Sequence, residues 1–199
     1  MKNRFATSAL VLFVLGSAVV HAEDLRPLTG EDSAAAVTIA IKSLKEWKTA
    51  AFTKLKEVTV ARSENSAELT LTYAEGSAER SQVFDCAWKT GDKPVIQCKQ
   101  LGKDVGKVDE KLVVAAPASW DDRTREFASE DCGAAAPVAF KTLKTWKEEA
   151  AAKVSSFKIE RTRYSASVKF SYAQDGEAKK KGYVCHWHGR GKDAEIDCH

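Results

Sequence analysis

Shifted by 99 residues, the chain matches itself. Lys42-Ser43-Leu44-Lys45-Glu46-Trp47-Lys48 falls on Lys141-Thr142-Leu143-Lys144-Thr145-Trp146-Lys147, and Cys86-Ala87-Trp88 falls on Cys185-His186-Trp187. Between residues 31 and 95 there are 20 identities in 65 ungapped positions. One extra residue in the last turn of the second copy then brings Ile96 and Cys98 onto Ile196 and Cys198. Two copies are too few for a solenoid, so the register implies two compact modules, each with its own core. The expected division is a leader over 1–22, a first module over 23–99, a linker over 100–129 and a second module over 130–199.

Within a module, apolar residues first recur at helical spacing. Val37, Ile41, Leu44, Trp47, Ala51, Leu55 and Val58 form one stripe, with lysines and glutamates opposite. Copy two repeats it as Ala136, Phe140, Leu143, Trp146, Ala150, Val154 and Phe157. The pattern predicts one long amphipathic helix per copy, capped in the first by Asp32 or Ser33. Proline is favoured in a first helical turn, so Pro137 predicts a later start in copy two. Period-two alternation follows: Leu69, Leu71 and Tyr73 in copy one, Val168, Phe170 and Tyr172 in copy two. Glu75-Gly76-Ser77 and Asp175-Gly176 mark turns, and Val58 with Val60, like Phe157 with Ile159, suggests a short strand just after the helix. The predicted fold class is α+β: two tandem modules, each one long helix packed on an approximately four-stranded antiparallel meander.

The cysteines constrain the last hairpin. If Cys86 stands opposite Cys98, the same register sets Trp88 opposite Ile96; in copy two it sets Cys185 opposite Cys198 and Trp187 opposite Ile196. Disulfide and apolar pair then share one face in both copies, as a period-two strand requires. Pairing between modules is the alternative. Cys132 has no counterpart, since copy one has Ser33 there. Near a helix start it reads as a thiol of lowered pKa, as the bridge of a disulfide-linked dimer, or as a quiet buried cysteine.

Lys2 and Arg4, the apolar run Ala9 to Val20 and the small residues of Val20-His21-Ala22 read as a secretory leader, with an uncleaved anchor as the alternative. The expected location is therefore periplasmic or secreted, with no membrane insertion once the leader is cleaved. Of the 31 basic residues, Lys2 and Arg4 leave with the leader, so 29 face 28 acids at a formal +1. That balance gives no electrostatic case for nucleic acid. Trp120, in the linker, packs that segment onto a module or touches a ligand.

His186, His188 and His199 are the candidate metal ligands. A His-x-His strand puts two imidazoles on one face, where Cu or Zn could be held with His199 as a third nitrogen. An exposed polar strand face is the competing reading, because copy one has Ala87 and Lys89 there. Lys179-Lys180-Lys181 is expected in a strand-to-strand turn, as a solvated loop or a contact for an acidic partner. No nucleophile elbow, phosphate-binding glycine loop or His-Glu-x-x-His motif occurs, so neither an enzyme nor an obligatory cofactor is expected.

A long helix followed by an antiparallel meander with a disulfide across its terminal hairpin resembles the cystatin-like fold. Tandem modules of this size, Glu31 to Cys98 and Glu130 to Cys198, are also similar to those of the β-lactamase inhibitor protein. No Gln-x-Val-x-Gly loop is present, which removes inhibition of papain-type proteases from what the likeness implies. What remains implied is a sheet surface presented to another protein. The favoured function is accordingly an exported, non-catalytic protein-binding pair, acting as an inhibitor if its partner is an enzyme; the alternative is a metal-binding or redox-responsive protein using the C-terminal histidines.

Overall fold

A computed structural model describes residues 27–89, 95–101, 125–189 and 193–199. The leader over 1–22 and the linker residues 102–124, Trp120 included, lie outside the described residues. Each copy runs helix, short helix, four strands. Copy one has α1 (Gly30–Trp47), α2 (Thr49–Phe52), β1 (Leu55–Arg62), β2 (Ser66–Glu75), β3 (Ala78–Lys89) and β4 (Val95–Gln100). Copy two has α3 (Ser129–Trp146), α4 (Glu148–Ala152), β5 (Val154–Arg161), β6 (Ser165–Gln174), β7 (Glu177–His188) and β8 (Glu195–Cys198). The fold is α+β, with helices packed on antiparallel strands.

The helices end earlier than the apolar stripe suggests. α1 stops at Trp47, and Leu55 and Val58 belong to β1. Leu55, Val58 and Val60 are spaced ambiguously, and the β-branched run Val58-Thr59-Val60 settles that segment as strand. Trp47 and Trp146, expected on the buried stripe, sit at the helix ends 39% and 52% exposed. The N-cap of α1 is Thr29, one turn earlier than expected. The Asp32 backbone N–H donates to the Thr29 hydroxyl at 3.1 Å, and the Thr29 N–H donates to the Asp32 carboxylate at 2.9 Å, closing a capping box.

α3 is not delayed by Pro137 either; it starts at Ser129 and carries the proline inside. A proline there has no N–H for the carbonyl four residues back, which is that of Gly133. The Thr38 hydroxyl of α1 donates to that carbonyl at 2.8 Å. Gly133 permits the approach, since a Cβ on it would lie 3.1 Å from the Thr38 Cα. Thr38 is the repeat counterpart of Pro137, so one copy supplies the hydrogen bond that the other cannot make.

The two meanders fuse. Strand order is β4-β3-β2-β1-β5-β6-β7-β8, one eight-stranded antiparallel sheet in which β1 pairs with β5. Thr59 stands opposite Lys158, its own repeat counterpart, so a local two-fold axis passes between them. The inward rows are buried at the middle of the sheet: Val58, Val60, Leu69, Leu71 and Phe84 in copy one, Phe157, Ile159, Val168, Phe170 and Tyr183 in copy two. Burying such side chains contributes about 1.5–3 kcal/mol each. The two-residue turns follow their residues: Gly76 takes φ 63°, while Asp175 and Gly176 take 54° and 79°, positive values that tight hairpins need.

Candidate interaction surface

The junction between modules is built twice over, once from each side of the axis. Arg62 of β1 donates from Nε to the Val154 carbonyl at 2.8 Å and from Nη1 to the Leu28 carbonyl at 2.9 Å. Arg161 of β5 donates from Nε to the Leu55 carbonyl at 2.7 Å and from Nη1 to the Phe127 carbonyl at 3.0 Å. Leu55 and Val154 precede irregularities in their own ladders. Each guanidinium thus satisfies a carbonyl of the other module where strand pairing lapses. Above the sheet, Lys45 faces Glu130 at 3.4 Å and Lys144 faces Glu31 at 3.6 Å, again as counterparts.

With α1 and α3 on one side, the outward rows form the other face. They are short and polar: Thr59, Thr70 and Thr72 from copy one, Ser156, Ser167 and Ser171 from copy two, each half-buried. A charged ladder crosses the centre. Glu57 of β1 meets Lys158 of β5 at 2.8 Å, Lys158 meets Glu160 at 3.0 Å, and Glu160 meets Lys169 of β6 at 2.7 Å. Hydrogen bonds from Lys169 and Lys158 hold the Glu160 carboxyl below its ordinary range, and those to Glu57 and Glu160 raise the Lys158 ammonium. By strand parity Val184 and Leu101 project from the same face, 48% and 56% exposed, near opposite ends of the sheet. Such a surface offers hydrogen bonding along its width, fixed charges at its middle and an apolar point toward each flank.

The disulfides Cys86–Cys98 and Cys185–Cys198 cross the outermost strand pairs, with Trp88 opposite Ile96 and Trp187 opposite Ile196. Both bridges lie beneath the helices: the sulfurs of Cys98 and Cys198 approach the Ala36 and Ala135 carbonyls.

His186 and His199 meet with ring centroids 4.9 Å apart, and His199 Nδ1 lies 3.7 Å from the Asp197 carboxylate. His188 is exposed two residues along the same strand. Among the described residues no group of three or more His, Cys, Asp or Glu side chains is arranged to hold a metal ion. His199, the expected third ligand, meets His186, while His188 of the expected pair stands apart, and two imidazoles alone fall short of the usual four-ligand set.

Cys132 is a free thiol, 1% exposed, packed inside α3. Burial pushes its pKa up to about 12. The expectations of a lowered pKa and of a disulfide-linked dimer fail for one reason: the helix dipole is outweighed by desolvation, and the sulfur does not reach the surface.

One buried polar group was missed from sequence. The Arg125 guanidinium carbon lies 3.2 Å from the Trp187 ring centroid, and Trp187 Nε1 donates at 3.0 Å to Asp131, which also accepts the Ala128 N–H at 2.7 Å. Desolvation raises the Asp131 pKa. This group ties the approach to α3 onto β7. Arg26, Asp32 and Trp88 stand at the matching repeat positions, which was the available signal.

No family model matches the chain, and no curated protein matches it. Among solved structures, a Clostridium difficile 630 protein described as a candidate lipoprotein aligns over 89% of this chain and 97% of its own, at 11% identity and a TM-score of 0.37. A likeness of that size carries neither fold nor function across.

Proposed function

We propose that the chain is an exported, non-catalytic binding protein that holds another extracytoplasmic protein against the open face of its fused sheet. Where that partner is an enzyme, the consequence of binding is inhibition. The observation that carries this reading is the face itself. Eight strands fixed by two disulfides and a doubled arginine clamp form one surface, and its outward rows are short, polar and flanked by exposed Val184 and Leu101. A preorganised face loses little entropy on binding, and isolated apolar points on a polar field suit a hot-spot interface. Export is supported by the leader pattern and by two disulfides, which persist in oxidising compartments. Among the described residues no helix is long and apolar enough to cross a membrane.

The test is capture from envelope and culture fractions with disulfide-intact protein, run beside Val184→Asp and Leu101→Asp variants. One protein recovered at fixed stoichiometry and lost with either variant supports the reading. A partner held equally well by both variants refutes the face as the site. Recovery of no specific partner removes the proposed function.

A further inference from the structure

The geometry points to a second, separate surface: the edge of β7 takes an extended acidic protein segment as an added strand. This does not depend on the open face binding anything. β7 has 12 residues and β8 only four. The last backbone exchange between them is at Val184, whose N–H donates to the His199 carbonyl at 2.9 Å and whose carbonyl accepts from the His199 N–H at 3.2 Å. Such a pair turns both backbone groups of Val184 toward β8. The two-residue period then aims those of Gly182, Lys180 and Ala178 along the same edge. Among the described residues no strand pairs with them.

Three features of this stretch fit an acidic strand. Lys179-Lys180-Lys181 is not in a turn, as the sequence suggested, but inside β7, beside the unpaired edge. The matching residues of β3 are Arg80, Ser81 and Gln82, with one charge among them, and Arg80 is paired to Glu75. Among the described residues Lys179 pairs with an acid, Glu177, and neither Lys180 nor Lys181 does. Second, Gly182 replaces the Val83 of copy one in mid-strand, where glycine weakens a strand. Packing does not demand it: a Cβ there would come no closer than 3.7 Å to a neighbour. Its effect is a bare backbone at which another chain can approach. Third, Trp146 stands half-exposed on the helix side with the Lys181 ammonium 4.8 Å from its ring, and the buried Tyr183 hydroxyl has no hydrogen-bond partner among the described residues.

Lysines on an edge usually deter pairing with further copies of the same protein. Lys180, on the open face, favours an acid there on the added strand, and Trp146, on the helix side, favours an apolar residue on the alternate positions. The edge offers donors and acceptors in turn, which a peptide backbone matches and a phosphate polymer, lacking donors, does not.

The probe is a blocked peptide of sequence Glu-Thr-Glu-Val-Glu-Thr-Glu, titrated into the full chain with both disulfides intact and followed by amide and indole NMR shifts. Expected are shifts at Ala178, Lys180, Gly182 and the Trp146 indole, and binding that weakens with added salt. Gly182→Pro removes an edge-facing N–H that no described strand uses and should weaken binding about tenfold, the loss for one shielded backbone hydrogen bond. Should that variant not fold, the same peptide N-methylated on its edge-facing amides makes the equivalent cut and should bind at least about tenfold more weakly. Absence of shifts, equal binding of the N-methylated peptide, equal binding of an oligonucleotide, or amides 178, 180 and 182 already protected from exchange in the free chain would each overturn the proposal.

Discussion

Replacing Thr38 with valine removes one hydroxyl and keeps the shape of the side chain. In this fold the hydroxyl donates to the Gly133 carbonyl at 2.8 Å, the carbonyl that Pro137 leaves without its helical partner. Gly133 is buried, and the helices approach so closely there that a Cβ would sit 3.3 Å from the Thr38 Oγ1. Water has little room to replace the lost donor. The cost should therefore be about 1–2 kcal/mol, above a mean hydrogen bond and within the range for an orphaned buried acceptor. In the Pro137→Ala background the helix regains its own N–H at that position, so the same Thr38→Val change should cost under about 0.5 kcal/mol. Urea unfolding of the four proteins at constant m-value measures the coupling. For a chain of this size the Thr38→Val midpoint in a thermal scan should fall by about 2–8 °C. Equal costs in both backgrounds would refute the compensation.

Arg161→Leu removes both donors from the Leu55 and Phe127 carbonyls and should cost about 2 kcal/mol, with hydrogen exchange accelerating along β1 and β5 before the outer strands. Cys132 should resist thiol reagents in the native state and react once after unfolding. Its raised pKa also means that stability falls as pH rises from 9 toward about 12, where only the unfolded thiol ionises. Glu160 has the opposite linkage: its folded pKa lies below the ordinary 4.5, so its contribution is full above that pH and is lost as pH falls through the lowered value, an acid sensitivity that Glu160→Gln should reduce. Asp131→Ala strands the buried Arg125 and two donors and should destabilise by about 3 kcal/mol in denaturant titration.

The strands and the hairpin register were legible because period-two alternation and cysteine position both bear on them, and a slip of one residue would expose Trp187 and Ile196 together. The end of α1 was not legible. Leu55 and Val58 continue the helical spacing by coincidence, and only their β-branched neighbours argue for strand. Nor was the fusion of the two sheets. β1 and β5 are half-buried strands like any other, and the arginines that flank their ladder have acceptors 92 and 106 residues away in the chain. Of the candidate site, residue types were readable and depth was not: Ser33 and Cys132 occupy equivalent buried positions, and the sequence marks neither as interior.

The local two-fold axis through Thr59 and Lys158 has one more consequence. Two identical chains meeting about such an axis must make every change twice, so both helices would carry threonine, or both proline. Joined in a single polypeptide, the halves are free to differ. A proline on one side can lean on a threonine from the other, and lysines, histidines and a free thiol can accumulate on one half while its twin stays plain. The tether also makes the pairing independent of dilution: at concentrations where an ordinary dimer would come apart, this one holds.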